Sequence, residues 1–123
     1  MAIDVLFYLG IALLITHELD AIHRHEWRMF PLINRLKEDA AYQTFVVLHI
    51  PLFMLVLWFA GHPSQTARFW FQVTMDIFFM VHLGLHLLLR GHGQNEFGNA
   101  LSKTILVSTA LVGGVHLPLI VLQ

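Results

Sequence analysis

The stretch Phe7-Tyr-Leu-Gly-Ile-Ala-Leu-Leu-Ile-Thr-His-Glu-Leu-Asp-Ala-Ile-His23 decides the fold class. Residues 7–16 are fit for lipid, and then His17, Glu18, Asp20 and His23 follow without a break, with His25 and Glu26 just beyond. Ionisable groups at membrane depth are costly and usually face a bundle interior, where they mark a pathway or a site. The pattern recurs along the chain. His49, His82 with His86, and His116 each interrupt another long apolar segment. The expected fold is therefore an all-α, four-helix transmembrane bundle built around polar chemistry.

Composition agrees. A chain of 123 residues makes one domain, spanning 1–123, and this one is 57% hydrophobic and 12% charged. A soluble four-helix bundle needs a polar outer face on every helix, and the stretches 44–60 and 104–122 offer none. A net charge of −1 gives no electrostatic case for nucleic acid. With no cysteine, disulfides, thiolate-held iron–sulfur clusters and cysteine zinc sites are excluded, so any metal must be held by imidazole and carboxylate. Asp4 stands where a secretory signal would be basic, so the first apolar segment is expected to be a retained span.

Four spans are predicted at about 3–22, 42–60, 69–89 and 101–122. Gly61-His-Pro-Ser64 is a tight turn and Arg90-Gly-His-Gly-Gln-Asn-Glu96 a longer one. In the charged stretch 24–41, Pro31 is expected to open a short interfacial helix over Leu32–Ala41. The first connection holds Arg24, Arg28, Arg35 and Lys37, the third holds Arg90 and Lys103, and the second only Arg68. Six cations against one place connections one and three in the cytoplasm, both termini outside, and the protein in the plasma membrane. Trp27, Trp58 and Trp70 fall near span ends, where an indole is comfortable.

The halves echo one another. His25 is followed by Phe30 and then His49-Ile-Pro51-Leu52; His92 is followed at the same intervals by Phe97 and His116-Leu-Pro118-Leu119. A duplicated helical hairpin and coincidence among nine histidines both account for this.

On a helix of 100° per residue, Glu18 lies about 100° to one side of His17 and Asp20 about 60° to the other, with His25 near the Glu18 stripe. His82 and His86 form an i, i+4 pair of the kind that clasps a metal ion. With the orientation above, His17, His49, His82 and His86 can meet in one layer of the inner leaflet beside Glu18 and Asp20, and His116 joins if span four starts later; His25 is a further candidate ligand, with an interfacial position as its alternative. His23 and Glu26 point elsewhere on a continued helix. Buried carboxylates must be protonated or find a cation, and imidazoles with carboxylates suit zinc, iron or manganese. The bland alternatives are a hydrogen-bonded network that locks packing, and, for His49 and His116, satisfaction of the carbonyls of Val47 and Gly114 freed by the following prolines.

His17-Glu-Leu-Asp-Ala21 with His25-Glu-Trp-Arg-Met-Phe30 resembles the first-span motif of small bacterial integral membrane proteins of the H-x-x-E-E type, whose function is unassigned. The literal match is His23-Arg-His-Glu26 followed by Trp27, so the second Glu of that motif is replaced. The resemblance implies four spans with a polar site at the end of the first, and no reaction.

The leading expectation is a metal-dependent membrane enzyme, a hydrolase or oxidoreductase acting on a lipid-like substrate, with Glu18 as ligand or catalytic base. The bilayer and that substrate are the expected partners, and a homo-oligomer is left open. Alternatives are a di-haem electron carrier with histidine axial ligands, a proton or metal-ion transporter, and a metal-free lipid isomerase or binding protein.

Overall fold

The structure is a computed structural model and describes residues 2–122. It holds four long helices, α1 (Ala2–His23), α2 (Glu38–Ala60), α3 (Gln65–Leu88) and α4 (Ala100–Val121), and no strand among the described residues. All four are long and apolar enough to cross a membrane, which makes the chain a multi-pass membrane protein by its helices.

The helices start where local chemistry allows. Ser64 accepts a hydrogen bond from the Ala67 amide at the start of α3, and Asn99 accepts one from the Ser102 amide at the start of α4. Ahead of α2, Leu36 and Lys37 are extended, and Glu38 and Asp39 place negative charge at its positive end. That arrangement corrects the helix expected over Leu32–Ala41. Residues 33–35 form a single 3-10 turn, and residues 38–41 already belong to α2, which starts four residues before the predicted span.

α4 packs along both α1 and α3, and α2 stands outside this row with its closest helix–helix packing against α3. Burial follows: 39% of the apolar window of α1 and of α4 is covered, but 17% of α3 and 11% of α2. Two glycines let the row close. A Cβ at Gly113 would fall 2.9 Å from the Asp76 backbone oxygen, and one at Gly10 would fall 2.6 Å from the Phe79 ring. The two hairpins thus pack unequally, α3 and α4 tightly and α1 and α2 hardly at all.

Buried apolar side chains form two clusters. Phe7, Ile11, Leu14, Val56, Met75 and Phe79 fill the half toward the second connection. Ala21, Trp27, Met29, Phe45, Phe97 and Leu106 fill the end that carries connections one and three. His17, His82, His86 and Glu26 lie between.

Candidate metal centre

α1 does not run on through the polar stretch. It ends at His23, and His25 takes the left-handed conformation (φ 53°, ψ 42°), which is rare for a residue with a Cβ. The chain reverses there into the 3-10 turn Glu26–Met29, whose Glu26, Trp27 and Met29 are all buried. The Trp27 indole packs against Tyr42 and Phe45 of α2 and against the His25 ring, and this apolar anchor carries its neighbour Glu26 into the bundle. The expectation that Glu26 points elsewhere is overturned by this reversal.

Glu26 enters beneath three imidazoles. His17 of α1 and His82 and His86 of α3 stand in a triangle with ring centroids 4.7, 4.8 and 5.0 Å apart, each pair edge to face. One nitrogen from each lies within 4.8 Å of the others. The Glu26 carboxylate reaches His17 Nε2 at 3.7 Å and His86 Nε2 at 3.8 Å, too long for hydrogen bonds. Phe97 of the third connection covers His17 and His86, with centroids at 5.4 and 4.6 Å.

These groups are buried and unsatisfied. Both ring nitrogens of His17, His82 Nε2, His86 Nδ1 and Glu26 Oε2 have no hydrogen-bond partner and no exposure. A buried polar atom without a partner costs of the order of 1–3 kcal/mol, so one unpartnered side chain after another in this small region calls for an explanation such as a common ligand. Burial, reinforced by the carboxylates of Glu18 and Asp20, pushes the Glu26 carboxyl from 4.5 up to about 8. A cation among the imidazoles would remove that penalty. Three nitrogens and one carboxylate oxygen match the donor sets of zinc, iron and manganese.

The remaining predicted ligands have other partners. Glu18 and His49 Nε2 are hydrogen-bonded at 2.8 Å, and His49 Nδ1 donates to the Phe45 carbonyl at 2.7 Å. Since that carbonyl only accepts, Nδ1 carries a proton, and the contact with Glu18 holds a further one. Asp20 accepts from Ser102 of α4 and lies 3.4 Å from Arg24, a tie between helices away from the imidazoles. His25 contacts Glu96 at 3.1 Å. His116 bonds Asp76 through Nδ1 at 2.7 Å, both residues fully buried at another depth. Neither His49 nor His116 serves the carbonyl freed by its proline, which corrects that alternative. His62 and His92 do the same local work, each accepting from the amide two residues on.

A cavity of about 630 Å³ opens between α2 and α3 and ends at this chemistry. Glu18, Glu26, His49, His82 and His86 form its polar end; Leu48, Leu52, Phe78 and Leu85 line its walls. Its volume is that of a small-molecule site, and its walls are predominantly apolar.

The chain belongs to a family of unknown function, DUF6713, whose profile matches residues 3–123. No curated protein and no solved structure matches it.

Proposed function

We propose that this protein is an integral membrane metalloprotein that binds a divalent metal, zinc, iron or manganese, through His17, His82, His86 and Glu26. The observation that carries the reading is the meeting of one nitrogen each from His17, His82 and His86 within 4.8 Å of one another, with buried atoms of all three rings and of Glu26 left without partners. When bound, such a metal polarises a carbonyl or phosphoryl oxygen or activates water. The chain's own residues supply the rest. Glu18 and His49 share a hydrogen bond on the wall of the same cavity and so serve as an acid–base pair rather than as ligands. The apolar walls select a lipid-like substrate entering from the bilayer between α2 and α3. The reading is thus a metal-dependent enzyme on a lipid-like molecule, a hydrolase or oxidoreductase.

The motif likeness to H-x-x-E-E proteins supports the same centre, because its literal match, His23-Arg-His-Glu26, contains the carboxylate beneath the imidazoles. The di-haem alternative finds less support, since rings in edge contact leave no slot for a porphyrin between them. Proton transport draws on one observation, the fully buried Asp76–His116 pair.

Purification in mild detergent, followed by a visible spectrum and elemental analysis, tests the reading. One equivalent of metal per chain is expected, with no Soret band. His17→Ala, His82→Ala and Glu26→Ala should each lower retention about tenfold or more, as the loss of even an outer partner of a ligand lowers affinity by 10- to 100-fold. His116→Ala should retain the metal. A Soret band, or equal metal in all variants, rejects the centre.

A further inference from the structure

We infer that the groove between α3 and α4, on the side of the bundle away from α2, is a binding site for an anionic phospholipid. The groove encloses about 440 Å³ and is separate from the α2–α3 cavity, although His86 touches both. Its walls are Leu83 and Leu87 of α3 and Leu106 and Val107 of α4, and its mouth is flanked by Arg90 and Lys103. Both cations are exposed, and neither has an ion-pair partner among the described residues.

The neighbouring polar groups leave that positive charge uncompensated. Asn95 is consumed in the turn, donating to the Leu89 carbonyl and accepting from the Phe97 amide. Glu96 is engaged by His25 and Arg28, and no carboxylate lines the groove. By contrast, Arg28 and Arg24 on the first connection are paired, with Glu38 and Asp20. Two free cations at the end of two spans, above an apolar trough within the hydrocarbon, ask for one molecule with an anionic head and an acyl chain. Basic pockets between spans hold phospholipid headgroups by this combination. The groove lies at the end of the bundle that carries six of the seven Lys and Arg. A free phosphate would satisfy the cations and leave the trough uncovered; a neutral lipid would do the reverse.

Native mass spectrometry of the full chain tests this, with palmitoyl-oleoyl phosphatidylglycerol or phosphatidylcholine added to the micelles. The phosphatidylglycerol adduct should exceed the phosphatidylcholine adduct at least about fivefold, the factor that even one surface cation contributes. The double variant Arg90→Gln/Lys103→Gln should abolish that preference, and Arg35→Gln/Lys37→Gln, which changes cations outside the groove, should preserve it. Val107→Trp keeps both cations and fills the trough, and should lower the adduct as well. Inorganic phosphate at millimolar concentration should not displace the lipid. Equal adducts of the two lipids, equal loss in both double variants, or displacement by phosphate would each overturn the assignment. So would protein dimers in place of lipid adducts. Metal content follows the imidazole centre and is expected to be unchanged in all of these variants, so the two readings fail separately.

Discussion

Glu26 concentrates the chemistry of the site in one side chain. It is 6% exposed, it faces two imidazoles without bonding either, and its carboxyl is held near 8 by burial. In the metal-free protein the folded state therefore keeps a proton on Glu26 between about pH 4.5 and 8, where the unfolded chain has lost it. The folded state binds more protons in that window, so stability falls as pH rises through it. Glu26→Gln removes this dependence. In chelator-treated protein the variant should match wild type in thermal midpoint near pH 5 and exceed it above pH 8, where ionising the buried group costs a few kcal/mol. A variant equally or less stable at high pH would show that the carboxylate is solvated or already paired. Little of this residue's role was legible beforehand. His82 and His86 are set one turn apart by helix geometry alone, and His17 is placed by the depth of its span. Glu26 depends on a left-handed His25 and on burial of Trp27, both of which are tertiary outcomes. The one local signal was the spacing His23-Arg-His-Glu26.

At the scale of elements, the row α1–α4–α3 rests on close approach rather than on apolar patterning, since lipid is as apolar as the helix faces. Gly113 permits that approach: a Cβ there would press on the Asp76 backbone and on Phe79, which itself abuts Gly10. Neither neighbour is the free end of a flexible chain. Gly113→Ala should therefore lower the thermal midpoint in detergent, at a cost of about 1–3 kcal/mol for overpacking. Gly114→Ala, whose nearest neighbour is Met80 Sδ at 3.9 Å, should be neutral or slightly stabilising, because alanine is the better helix former. Equal effects at the two positions would mean that propensity, not packing, decides. Four helices were readable because 20-residue apolar runs between turn residues admit little else. The partner of each polar side chain was not. His49 and His116 both stand two residues before a proline, yet each bonds a carboxylate of a neighbouring helix, and only the packing says which.

For the molecule as a whole, the side chains between connections fix relative sidedness, and charge predicts the absolute one. Arg28 of the first connection bonds Glu96 of the third and Glu38 at the start of α2, so these segments share one end of the bundle. The opposite end carries the second connection, where Arg68 is turned back onto the carbonyls of His62 and Pro63. Six cations at one end against one at the other favour the six on the cytoplasmic side. The absence of cysteine makes this directly measurable, since any thiol introduced is the only one present. Arg35→Cys and Gln94→Cys should resist a membrane-impermeant maleimide in intact cells and react after lysis, whereas Gln65→Cys should react in both. All three positions are exposed, so a failure to label reports the membrane and not the fold. Labelling of residues 35 and 94 in intact cells with residue 65 protected would invert the orientation while keeping the four helices. It would also move the imidazole centre and the Arg90–Lys103 groove to the outer leaflet together, because both sit at the end joined by Arg28 and Glu96. A split result, with 35 and 94 on opposite sides, is incompatible with that ion pair and would break the bundle as described.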